Sequence, residues 1–148
     1  MDKDRLDAVT QSIIGAAIEV HRALGPGLLE SAYETCLSFD LVERGLKIER
    51  QRSLPFVYKG SRLDCGYRVD LVVEEAVIVE IKAVEQLLPI HAAQLLSYLR
   101  LSKLPVGLLI NFDVTALQCG IRRVVNAYPD SLRPLRSSAA CAFKGNAS

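Results

Sequence analysis

An α/β fold is the class this sequence predicts, on three observations: two helical periodicities divided by a Gly-Pro-Gly corner, an apolar hairpin at residues 67–84, and a third helical stretch leading into the apolar run VGLLINF. The 148 residues, half of them apolar, suffice for one domain with a real core and fall short of two.

The first helix is read over residues 6–24, where Leu6, Val9, Ile13, Ala16, Ala17, Val20 and Leu24 recur at three- and four-residue steps and Asp4 is available as N-cap. Gly25-Pro26-Gly27 stops it, because glycine permits the left-handed cap and proline cannot continue a hydrogen-bonded helix. Helical periodicity restarts over residues 28–44 through Leu29, Ala32, Tyr33, Cys36, Leu37 and Leu41, with Gly45 where a C-terminal cap belongs.

Residues 47–58 carry β-branched and aromatic side chains and predict a strand, and Lys59-Gly60 reads as a turn before Leu63. Two more strands follow at residues 66–73 and 77–83, joined around Glu74-Glu75. Residues 89–101 are helical through Ala92, Leu95, Leu96 and Leu99, with Pro89 in the first turn. Residues 106–112 then form the unbroken apolar run of a strand covered on both faces, and another strand is expected near 120–125. The stretch SLRPLRSSAACAFKGNAS lacks periodicity, so 1–128 is read as the domain and 129–148 as a flexible C-terminal tail.

Eighteen basic residues against 17 acidic ones leave a net charge of +1, which advertises no partner through a global field. Cys36, Cys65, Cys119 and Cys141 show no CxxC pair or zinc-site spacing and read as reduced thiols of a cytoplasmic protein. MDKDRLD lacks the apolar stretch of a signal peptide, and no run of about 18 apolar residues suggests a membrane span.

The charges inside YRVDLVVEEAVIVEIKAV require a reason. Side chains alternate along a strand, so Glu80 and Lys82 share a face with Ile78 while Val77, Val79 and Ile81 take the other. Asp70 shares its face with Arg68 and Val72. With the loop centred on Glu75, residues whose numbers sum to 150 lie opposite one another, and Asp70 faces Glu80. Two carboxylates held together in a partly buried place repel, and a hard divalent cation such as Mg²⁺ or Mn²⁺ offsets that repulsion. Lys82 could then orient or deprotonate an attacking water, the outline of a phosphodiester-hydrolysing site. The same three charges would also serve as a strand-end ion pair.

This arrangement resembles the PD-(D/E)xK nuclease superfamily, whose restriction-endonuclease-like core is α-β-β-β-α-β with a mixed central sheet flanked by helices. It looks most like the GxxExxY family within it, whose pattern is Gly27-Leu28-Leu29-Glu30-Ser31-Ala32-Tyr33 here. VHRALGPGLLESAYE, YRVDLVV, IVEIKAV, HAAQLLSYLRL and VGLLINF follow that pattern in order across residues 5–125. The resemblance implies a metal-dependent nuclease in which Asp70, Glu80 and the Ile81 carbonyl bind Mg²⁺ or Mn²⁺ and Lys82 serves the water. It makes Glu30 an accessory ligand and His21 a secondary one. Gln94 and Tyr98, four apart on one helix face, are similar to the supporting Gln-x3-Tyr pair of RecB-like members, with His91 a turn earlier. Tyr33 either supports the site or packs on the sheet with its hydroxyl satisfied near Glu30.

Arg68, with Arg50, Arg52, Arg62, Arg122 and Arg123, could line a groove for phosphates. The expected partner is nucleic acid, DNA in preference to RNA, with a homodimer as an option for cutting two strands. The alternative is a catalytically silent nuclease-like domain that binds nucleic acid or a protein.

Overall fold

The computed structural model describes residues 1–126. Two helices come first, α1 (Lys3–Leu24) and α2 (Glu30–Glu43), followed by β1 (Ile48–Ser53), β2 (Phe56–Tyr58), β3 (Ser61–Leu63), β4 (Arg68–Val73) and β5 (Val77–Lys82). Helix α3 (Pro89–Ser102), β6 (Val106–Asn111), a single 3₁₀ turn at Leu117–Gly120 and β7 (Ile121–Val125) complete the chain. The central sheet has the order β1-β4-β5-β6-β7, and β2 pairs only with β3. Strands β5 and β6 run parallel and the other neighbours antiparallel, so the sheet is mixed, as expected.

Alternation along the strands divides the core in two. Leu71, Val73, Val77, Val79 and Ile81 pack with α1 and α2 on one face of the sheet, while Val72, Ile78 and Leu109 pack with Leu95, Tyr98 and Leu99 of α3 on the other. At about 25 cal/mol per Å² of apolar area removed from water, these two clusters are the main stabilising element. The face bearing Ile78 is the one that also bears Glu80, so the charged residues are presented on the α3 side.

Several local readings need correction. Asp2, not Asp4, caps α1, its carboxylate accepting from the Arg5 amide at 2.8 Å. The strand expected over residues 47–58 is broken at Leu54-Pro55, where proline withholds the ladder donor, and β2 turns away with β3 into a separate hairpin. That hairpin closes through Lys59 and Gly60, with φ of 51° and 77°, the paired left-handed conformation of a tight two-residue turn. Cys36 and Cys65 are free thiols, in keeping with the reduced reading. Cys141 and the expected tail lie outside the described residues, as does the end of the expected domain at 128. Among the described residues no helix is long and apolar enough to cross a membrane.

Candidate active site at the open end of the hairpin

The β4–β5 pairs are Leu71 with Val79, Val72 with Ile78 and Val73 with Val77, the register in which Asp70 and Glu80 face each other. Regular pairing ends one step short of these two residues, and their side chains take over. The Asp70 amide donates to Glu80 Oε1 at 3.2 Å, and the Ile81 amide donates to Asp70 Oδ2 at 2.8 Å. Each carboxylate therefore accepts from the backbone of the opposite strand, which holds the pair in place.

Burial pushes the Glu80 carboxyl up to about 8, and the negative charge of Asp70 adds to the shift; the Asp70 amide and the Lys82 ammonium pull the other way. A dry carboxylate beside a second one, with Lys82 as the opposing cation, is short of positive charge. These hard oxygen donors, with the Ile81 carbonyl between Glu80 and Lys82 in sequence, fit a divalent cation, whose charge would favour ionised Glu80. Among the described residues no three His, Cys, Asp or Glu side chains cluster as a ready-made ion site.

The other predicted residues divide. Glu30, exposed at the start of α2, reaches the end of β5, where its Oε2 accepts from the Ala83 amide at 3.2 Å. Tyr98 is buried on α3 in the same apolar cluster as Val72 and Ile78, the neighbours of Asp70 and Glu80 on their face of the sheet, and burial followed by the negative charges of Glu80, Tyr67 and Asp70 raises its hydroxyl pKa. Gln94 and Arg68 are exposed. His21 is buried and its Nε2 lies 2.7 Å from the Val114 carbonyl, an engagement with the chain after β6. His91 accepts from the Leu88 amide through Nδ1 at 3.0 Å and so caps α3.

Tyr33 does not satisfy its hydroxyl near Glu30. The hydroxyl donates to the Gly25 carbonyl at 2.6 Å and accepts from the Leu28 amide at 3.1 Å, while the ring stacks on Phe112 at 4.5 Å. Tyr33 thus fastens the Gly-Pro-Gly corner, and that corner sets where α2, with Glu30 in its first turn, begins.

Two residues escaped the sequence reading. Gln51 adopts a left-handed φ of 52° in β1 and donates from one amide nitrogen to Glu34 Oε1 at 2.7 Å and to Asp70 Oδ1 at 3.2 Å. Glu34 is buried and also accepts from Arg50 at 3.0 Å. This relay ties Asp70 to α2. Glu34 left a signal, since it stands three and seven residues before Leu37 and Leu41 in the apolar stripe; Gln51, in the polar run IERQRS, left none.

The mixed sheet, its flanking helices and the facing carboxylates define a restriction-endonuclease-like α/β domain. A family model for the PD-(D/E)XK nuclease superfamily matches residues 7–124, and the chain belongs to that superfamily. Its members generally hydrolyse phosphodiester bonds and typically use divalent metals, so membership implies nuclease-like function and nucleic acid as the partner. The comparison with curated proteins and the comparison with solved structures each returned no match.

Proposed function

We propose that this chain is a cytoplasmic Mg²⁺- or Mn²⁺-dependent nuclease of the GxxExxY type that cleaves DNA in preference to RNA. The observation carrying the proposal is the exchange of backbone hydrogen bonds by Asp70 and Glu80 across the hairpin, with Lys82 two residues on along the same strand. Asp70, Glu80 and the Ile81 carbonyl would hold the cation, and Glu30 would assist from α2. When bound, the ion supplies Lewis acidity toward the phosphoryl oxygen and lowers the pKa of coordinated water.

The chain's own residues do the rest. The Lys82 ammonium orients the water whose oxygen bonds to phosphorus as the phosphorus–oxygen bond to the leaving group breaks; the water proton passes to solvent, and the departing oxygen takes up a proton from solvent. Gln51 steadies Asp70 from β1. A homodimer would bring two such sites to a duplex.

The rival reading is a silent nuclease-like domain that binds nucleic acid or a protein. It draws support from the hydrogen bonds already satisfying the two carboxylates and from the want, among the described residues, of a three-residue cluster able to hold an ion. Labelled single-stranded, duplex and branched DNA, with RNA beside them, in Mg²⁺ or Mn²⁺ separates the two readings. Divalent-dependent cutting lost in Glu80→Ala and Lys82→Ala is the expected result; no cutting of any substrate favours the silent domain.

A further inference from the structure

We infer that Phe56 and Tyr67, backed by the buried ring of Tyr98, form a stacking wall for the unpaired bases of a single-stranded nucleic-acid segment, leading it to the Asp70–Glu80 pair. The inference rests on the nuclease reading for what happens at the end of the wall. The rings follow one another from the β2–β3 hairpin inward: Phe56 to Tyr67 with centroids 6.2 Å apart, then Tyr67 to Tyr98 at 6.0 Å. Tyr98 packs with Val72 and Ile78, the neighbours of Asp70 and Glu80 on the face that bears them, and Tyr67 is 45% exposed.

Packing does not explain the outer part of this wall. Strands β2 and β3 have three residues each and pair with nothing else, and an isolated hairpin of that kind is marginal in water. Val57, Tyr58, Leu63 and Tyr67 nevertheless remain exposed, and apolar surface concentrated on so small an element marks a contact site.

Charge selects the occupant. Arg50, Arg52 and Arg123 are paired with carboxylates, and Arg122 donates to the Cys119 and Ile121 carbonyls. Arg62 in β3 and Arg68 at the start of β4 are exposed and have no ion pair among the described residues; the Lys59 ammonium lies 5.4 Å from the Tyr58 ring centroid. Cations interleaved with flat rings suit a polyanion whose bases are free to stack. A duplex keeps its base faces covered, and a second copy of this chain would set like charges against each other.

The test compares binding of three labelled oligonucleotides by anisotropy: single-stranded oligothymidylate, an abasic strand of the same length, and a duplex. Ca²⁺ replaces Mg²⁺ so that binding is read apart from cutting. The native chain is expected to bind the base-bearing strand about tenfold more tightly than the abasic one. Tyr67→Ala and Phe56→Ala should lose that preference while keeping the abasic affinity. Tyr67→Leu, which retains apolar bulk without a flat ring, should lose it too and guards against a folding artefact.

Equal affinity of the native chain for base-bearing and abasic strands would overturn the wall, as would a Tyr67→Leu chain that keeps the preference. A dimer in light scattering that Tyr67→Ala dissolves would overturn it in favour of self-association. Cleavage, measured separately in Mg²⁺ or Mn²⁺, keeps the two readings distinct. Base-dependent binding without cutting leaves the wall standing and removes the nuclease; single-strand cutting unchanged in Tyr67→Ala does the reverse.

Discussion

The β4–β5 hairpin carries acidic pairs at both ends, and the two ends treat them differently. At the turn, Glu74 meets Arg5 at 2.9 Å and accepts from the Lys47 amide at 2.6 Å, while Glu75 pairs with Arg52. At the open end, Asp70 and Glu80 face each other, partly buried, with hydrogen bonds but no ion pair among the described residues. Acids at the turn are neutralised by guanidinium groups and serve the fold. Those at the open end are left short of positive charge, the condition in which carboxylates recruit a cation.

The largest expected effect breaks the open end. Glu80→Ala and Lys82→Ala should each lower metal-dependent cleavage by about 10²–10⁴-fold, while Glu74→Ala should leave it unchanged. Rates on one labelled substrate for the three variants check this. Equal losses at both ends of the hairpin would remove the distinction between them.

Stability should respond in the opposite sense. Glu80 is held up to about 8 against an ordinary 4.5, so the metal-free fold prefers the protonated carboxyl. That contribution is complete below the unfolded value and is lost as pH rises through about 8. Urea midpoints without metal should therefore fall between about pH 5 and about pH 9, and Glu80→Gln should flatten the fall, gaining on the order of 1–3 kcal/mol at the alkaline end. A steeper fall in the variant would contradict the charge shortage.

Tyr33→Phe sharpens the comparison from the helix side. It removes the hydroxyl that donates to Gly25 and accepts from Leu28, and should cost about 1–2 kcal/mol in chemical denaturation while leaving the Phe112 stack. Smallest of all is Glu74→Ala, expected to cost about 1 kcal/mol through the lost Lys47 hydrogen bond, its exposed Arg5 pair adding little.

Much of this was legible from local rules. Alternation and a loop centred on Glu75 suffice to put Asp70 opposite Glu80 and both on the α3 face, because a strand has only two faces and the apolar residues fill them. The unreadable parts depend on long-range geometry. The detour of β2 and β3 follows from Pro55, which was visible in the sequence, but the approach of Tyr67 to Tyr98 joins residues 31 positions apart. The Glu34–Gln51–Asp70 relay joins α2, β1 and β4 through one left-handed residue, which no periodicity encodes. The resemblance makes His21 a secondary ligand, whereas in the fold its Nε2 engages a carbonyl 93 positions away.

The open end is best tested by titrating Mn²⁺ into the native chain and into Glu80→Gln and following the thermal midpoint of each. A ligand that binds only the folded state raises the midpoint with concentration. The native midpoint should rise through the millimolar range and that of Glu80→Gln should stay level. No rise in the native chain, or the same rise in both, would contradict the assignment of Asp70 and Glu80 as a cation site.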